Sequence, residues 1–231
     1  MIKISILIPV FNEVLFIEDC LKEIKKYQSK DFEYEIIISD NNSTDGTKFF
    51  LESIVDEGIK ILYQKTNHGK GSNLINCLKH VSGDIVIIQD ADLEYSPENY
   101  KDLILPILNN KANVVFGNRF AKSKPFHVYS FIHLIANKAI TLFANVLFNR
   151  SFSDILTGYK VFKHDLIKDY NFTSKNFDID TEMTAFFCKN KKAKIYEVPI
   201  SIYSRSYSEG KKINILHFFL LIFSLIKNRF I

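Results

Sequence analysis

Cysteine is scarce in this chain: Cys20, Cys77 and Cys188 are the only three, and no two form a CxxC pair. That spacing argues against a disulfide framework and against a zinc site, and leaves three buried thiols as the expectation. Two nucleotide signatures are also missing. No GxxxxGK[ST] occurs, the stretch "NHGKGS" having the wrong spacing, and no GxGxxG follows the first apolar segment. A P-loop is therefore excluded and dinucleotide binding is disfavoured. The apolar run at 213–226 carries His217 and Ser224 and falls short of the ~20 residues that a spanning helix needs. A second apolar stretch, Val128 to Phe148, is interrupted by Asn137 and Lys138. The opening "MIKISILIPVFNE" has a short apolar run, then a proline, and no small-residue cleavage site. It reads as a strand and not a signal peptide, with a cytoplasmic protein as the expectation.

What is present is an ordinary globular composition, 47% hydrophobic and 24% charged over 231 residues, enough for one sizeable domain with a C-terminal appendage. The net charge of +4 is unevenly spread. Residues 189–231 carry +7 and residues 1–188 carry −3. Lys189, Lys191, Lys192 and Lys194 read as a solvated face, whereas Arg205, Lys211 and Lys212 bracket a glycine in "YSRSYSEGKKI", an arrangement suited to gripping an anion. The aromatics are not interleaved with these basic residues in an RNA-reading pattern, so no nucleic-acid partner is expected.

Short apolar runs alternate with amphipathic stretches. "KISILIPV", "YEIIISD", "IKILYQK", "GDIVIIQD" and "ANVVFGNR" read as strands. "NEVLFIEDCLKEIKKYQ", "STDGTKFFLESIVDEG" and "GKGSNLINCLKHVSG" read as helices, the second with Ser43 or Thr44 as its N-cap. Such alternation predicts an α/β fold with a mostly parallel sheet covered on both faces. Ligands of these sheets bind beyond the carboxyl ends of the strands, where Asn12 and Glu13, Asp40 to Asn42, and Asp90 to Asp92 all fall. Asp90 and Asp92, two residues apart just past an apolar strand, can both reach one hard divalent cation that also holds a diphosphate.

"SILIPVFNE", "IIISDNNSTDG", "NHGKGSNL", "DADLEYSP", "VVFGNRF" and "DILTGYKVF" occur in the order and approximate spacing of the family-2 glycosyltransferases with a GT-A fold. The later "EVPISIYSRSYSEGKK" resembles the subgroup of dolichyl- and polyprenyl-phosphate mannose and glucose synthases. The resemblance spans residues 3 to about 212. It implies one catalytic unit, 1–212, followed by a C-terminal apolar helix, 213–231, as a membrane-surface or interface element.

The resemblance also implies roles. Pro9, Phe11, Glu13 and Asp40 match the wall around the base and ribose of a UDP- or GDP-sugar, a core aromatic being the alternative for Phe11. Lys70 would reach the diphosphate or base, with a surface lysine as the alternative. Asp90 and Asp92 would hold Mg²⁺ or Mn²⁺, with Glu94 close by. Arg119 matches an arginine near the acceptor phosphate and sugar, and Arg205 and Lys211 match a basic loop over the donor diphosphate. Where well-known members carry an arginine and a serine four residues on, this chain has His133 and Asn137, an i, i+4 pair on one helix face. Thr157 adds a hydroxyl.

The implied reaction moves a hexose to a polyprenyl phosphate at the membrane surface. A glycan or glycolipid hydroxyl is the alternative acceptor, for which Asp180 or Glu182 would serve as base. A catalytically dead nucleotide-sugar-binding subunit is the rival of another class. Basic residues flanking 213–226 suit a helix in an anionic interface, and packing on the core, a homo-oligomer or a membrane-protein partner stays open.

Overall fold

The computed structural model describes residues 1–121, 130–203 and 215–230. Seven strands form one sheet: β1 (Lys3–Val10), β2 (Glu33–Asp40), β3 (Ile59–Tyr63), β4 (Ile85–Ile88), β5 (Val114–Asn118), β6 (Lys160–Lys163) and β7 (Ile195–Pro199). Their order is β3-β2-β1-β4-β6-β5-β7. Only β6 runs antiparallel to its neighbours, so the sheet is mostly parallel, as the alternating pattern predicts.

The period of two decides the packing. Ile4, Ile6, Ile8 and Val10 point to one face, where they join Cys20, Leu21 and Ile24 of helix α1 (Ile17–Tyr27) and Leu103, Ile104 and Ile107 of α4 (Tyr100–Leu108). Leu7, Ile37, Val86 and Ile88 point to the other, against Leu74 and Cys77 of α3 (Lys70–Leu78) and Met183 and Phe187 of α6 (Ile179–Lys189). All three cysteines are buried and free, as expected.

A third apolar cluster lies outside the sheet. Helices α5 (Phe131–Phe148) and α7 (Ile215–Phe230) meet α6 through Ile140, Ala144, Phe148, Ala185, Cys188 and Leu225. Polar stitches support the α6–α7 seam: Thr181 Oγ1 donates to Ser224 Oγ at 2.9 Å, and Lys189 Nζ donates to the Asn228 carbonyl at 3.1 Å. Both helices also keep an exposed apolar stripe, with Phe131, Ile132, Ile135, Leu142 and Val146 on α5 and Phe219, Leu220, Phe223, Ile226 and Phe230 on α7. Among the described residues α5 is the one helix long and apolar enough, by length and composition, to cross a membrane.

The structure corrects one local expectation. Helix α2 (Thr47–Glu52) starts after Gly46, whose φ of 103° occupies the cap position, and not at Ser43 or Thr44. The reason is competition for the cap side chain. Ser43 Oγ accepts from the Asn12 amide at 2.9 Å, and Asp45 Oδ1 accepts from the Thr47 amide at 3.0 Å. The Ser43 hydroxyl therefore ties two loops together, and Asp45 satisfies the first turn.

Candidate active site

The register aligns Leu7 with Ile88 and Val10 with Asp40, so the chain leaves β1, β2 and β4 on the same edge. Each exit is a tight turn. Asn12, Asn42 and Leu93 have φ of 56°, 64° and 58°, left-handed values that asparagine tolerates and leucine does not favour. The first two loops are laced together. The Glu13 amide donates to Thr47 Oγ1 at 2.9 Å, and the Thr44 amide to Asn12 Oδ1 at 2.8 Å. The buried Asp40 carboxylate accepts from the Ser43 amide at 3.1 Å. From α3, Asn73 Nδ2 donates to the Val10 and Ser39 carbonyls at 3.1 and 2.7 Å and joins both strand ends. Phe11 is 43% exposed, so it is not a core aromatic. It stands on this rim with Pro9 and Glu13, both partly buried.

The loop after β4 is held from inside by Gln89. Its Nε2 donates to the Asp90 and Tyr95 carbonyls, both at 2.9 Å, and its Oε1 accepts from the hydroxyls of Tyr100 and Tyr159 at 2.8 and 2.6 Å. A buried amide with every group satisfied is a rigid post, and it sets where Asp90 and Asp92 stand. Asp92 Oδ1 accepts from the Glu94 amide at 3.1 Å. On the far side, the Glu94 carbonyl accepts from the Tyr203 amide at 2.9 Å. Arg205 and Lys211 lie outside the described residues.

Two lysine–carboxylate pairs sit beside this loop. Lys70 Nζ is 2.7 Å from Asp90 Oδ1, with side chains 22% and 17% exposed. Burial opposes the Lys70 charge, but Asp90 and Asp180 outweigh it and raise its pKa above the usual lysine range. Lys160 is fully buried on β6, where Nζ donates to Asp180 Oδ1 at 2.7 Å and to the Thr157 carbonyl at 2.6 Å. Burial lowers its pKa, Asp180 works to raise it, and the Lys70 charge adds to the lowering. Gly158 stands against the Asp90 carboxylate: a Cβ there would be 2.6 Å from Asp90 Oδ2. Thr157 Oγ1 is buried and has no hydrogen-bond partner among the described residues.

Arg119, past β5, grips Asp154 in a bidentate fork, with Nε and Nη2 at 2.6 and 2.8 Å from its two oxygens. Asp154 is fully buried, and its amide donates to Glu197 Oε1 at 3.0 Å. The turn is joined to α5, since the Ile155 amide donates to Thr141 Oγ1 at 3.4 Å and Thr141 Oγ1 donates to Asn137 Oδ1 at 3.4 Å. His133, four residues before Asn137, is partly buried on the same helix.

The structure thus brings Lys70, Asp90 and Asp180 into one electrostatic cluster with Lys160, beside Gly158. Glu182 is placed differently: it is buried, and its carboxylate accepts from the Thr173 and Ser174 amides at 3.0 and 2.7 Å. That holds the loop whose Lys175 carbonyl accepts from Ser72 at 3.0 Å, so Glu182 braces the start of α3. Gln89, Asp154 and Lys160 were not identified from sequence. A lysine between Tyr159 and Val161, inside an apolar strand, was the signal for Lys160. Asp154 stood in "DILTGYK" without a role.

A mostly parallel sheet with carboxylates at its carboxyl edge, beside two laced loops, fits the GT-A architecture of its structural neighbours. The comparisons agree. Residues 5–171 match the model of glycosyl transferase family 2, and the chain belongs to that family. It is 29% identical over 203 residues to Glycosyltransferase AglJ of Haloferax volcanii, covering 87% of this chain and 63% of that protein. It is 25% identical over 212 residues to a dolichol-phosphate mannosyltransferase of Pyrococcus furiosus, covering 90% and 59%. The chain therefore spans about three-fifths of the length of these two relatives. A glucosyl-3-phosphoglycerate synthase from M. tuberculosis, solved with Mn²⁺, UDP-glucose and phosphoglyceric acid, superposes with a TM-score of 0.76 at 19% identity, over 100% of this chain and 80% of that one. At that identity the likeness is one of fold.

Proposed function

We propose that this protein is a metal-dependent, inverting transferase that moves a hexose from a UDP- or GDP-sugar to a polyprenyl phosphate at the cytoplasmic face of a membrane. The observation that carries the reading is the pair Asp90 and Asp92 in the loop after β4, with the Asp90 carbonyl held by Gln89 and the Asp90 carboxylate already facing a cation, the Lys70 ammonium. The donor type fits Mg²⁺ or Mn²⁺, since a carboxylate that already holds an ammonium at 2.7 Å offers hard oxygen ligands. Bound there, the ion would neutralise charge on the departing diphosphate.

The chain's own residues supply the rest. Pro9, Phe11, Glu13 and Asp40 form the wall for base and ribose, and Lys70 serves the diphosphate. Arg205 and Lys211 are assigned to the donor phosphates by the family resemblance alone. Arg119, held in orientation by Asp154, serves the acceptor phosphate with His133, Asn137 and Thr157, whose hydroxyl has no partner among the described residues and suits a ligand oxygen. In the transfer an acceptor phosphate oxygen forms the new bond to the anomeric carbon from the face opposite the leaving group. The bond to the nucleoside diphosphate breaks, and the diphosphate leaves with the electron pair. No proton has to be removed.

The hydroxyl-acceptor alternative needs a base, and the two carboxylates considered for that role already accept hydrogen bonds from the protein. Asp180 accepts from Lys160, and Glu182 accepts from Thr173 and Ser174. That favours an acceptor already anionic. The name of the Pyrococcus relative points the same way, and the exposed stripes of α5 and α7 suit a protein that works on a lipid. The test is label transfer from UDP- and GDP-sugars into polyprenyl phosphate, with Asp92→Asn beside the wild type. Metal-dependent lipid-linked product absent from the variant supports the reading, and donor binding without lipid product overturns the acceptor.

A further inference from the structure

The two oxygens of the partly exposed Asp90 carboxylate have different neighbours. Oδ1 faces Lys70 Nζ at 2.7 Å, and Oδ2 lies against Gly158, where a Cβ would be 2.6 Å away. The base of Lys70 is constrained, because Gly69 and Gly71 on either side pack against residues 174–176 with no room for a side chain. A divalent cation approaching the exposed side of Asp90 therefore meets an ammonium already on the oxygen it needs. Two cations on one carboxylate oxygen repel each other, so the binding of either weakens the hold of the other. A displaced Lys70 still has an anion in range, since the Asp180 charge also acts on it and Lys160 already fixes that carboxylate in place.

We propose that Lys70 is a tethered counter-ion that occupies Asp90 in the metal-free protein, is displaced when the divalent cation binds, and is thereby freed to hold an anionic donor group. The inference rests on the reading of Asp90 and Asp92 as metal ligands. Metal binding and the release of Lys70 then become one event, so the lysine is offered to a diphosphate only when the metal is in place. The arrangement also keeps the partly buried Asp90 carboxylate neutralised between turnovers. Its cost is affinity: the site binds metal only in the fraction of molecules whose Lys70 has let go, and the apparent affinity falls by that fraction. A charge-assisted hydrogen bond of ordinary strength corresponds to about tenfold.

The test is Mn²⁺ binding to the full chain by electron paramagnetic resonance, without nucleotide, for wild type, Lys70→Met, Lys70→Gln and Asp90→Asn. Both neutral variants at position 70 are expected to bind Mn²⁺ about tenfold more tightly than wild type, and Asp90→Asn to lose the site. Equal affinity in wild type and both Lys70 variants, with Asp90→Asn still defective, overturns the competition and leaves the metal reading standing. Binding unaffected by Asp90→Asn overturns the metal reading and this inference with it.

Discussion

Single carboxylates do opposite jobs at the two ends of this sheet. Asp90, at the carboxyl edge, is placed to meet a cation, whereas Glu35, at the amino edge, is saturated by Ser5, Ser82, Gly83 and Lys3. Burial pushes the Glu35 pKa up, but hydrogen bonds from Ser5 and Ser82 outweigh it and lower it to about 2. Because the folded value lies below the ordinary ~4.3 of the unfolded chain, the stabilisation is fully present above that value. It is lost as pH falls toward about 2. Glu35→Gln is expected to cost about 2–3 kcal/mol at pH 7 and clearly less at pH 3, read by urea unfolding. Equal losses at both pH values would contradict it. At this scale the acidic pair after β4 was legible in the sequence, because two aspartates ending an apolar strand stand against the local pattern. Gln89 and the Lys160–Asp180 pair were not, since their partners come from segments far along the chain that only the fold brings together.

Elements built from long periodic runs were the most legible, and β1, β2 and β4 begin and end within a few residues of their expected bounds. Strands β6 and β7 were missed. β6 has four residues with a lysine at each end, and β7 has five and ends at a proline, so neither presents enough alternation to be read without the neighbours that bury it. β6 matters most for the candidate site, because inserting it antiparallel between β4 and β5 brings Gly158 beside Asp90 and Lys160 against Asp180. Helix α3 likewise depends on a brace from α6. Glu182→Gln weakens the hold on Thr173 and Ser174, and amides 173–176 and Ser72 are expected to exchange with deuterium at least tenfold faster, with the strand amides unchanged. Protection equal to wild type at Ser72 would show that Glu182 does not brace the start of α3.

The molecule as a whole is two-sided: a sheet edge lined with carboxylates, and a pair of helices whose outer stripes are apolar. Phe219 and Phe223 of α7 are 62% and 65% exposed, and Lys227 and Arg229 follow in its last turn. Replacing both phenylalanines by glutamate is expected to lower flotation with anionic vesicles about tenfold, while the thermal midpoint stays near that of the wild type. Unchanged flotation would leave these stripes for another partner. The apolar run 213–226 was legible as shorter than a spanning helix needs, whereas the packing of α7 on α6 was not, because Ser224 and Asn228 look like surface residues until Thr181 and Lys189 are placed opposite them.

The most direct measurement is transfer of radiolabel from a panel of UDP- and GDP-sugars, with Mg²⁺ or Mn²⁺, into an organic phase containing polyprenyl phosphate, with Asp92→Asn run in parallel. The account predicts metal-dependent, mild-acid-labile label in that phase from one donor, and a loss of at least a hundredfold in the variant. Label appearing equally with wild type and Asp92→Asn, or transfer that persists undiminished in chelator, would contradict it.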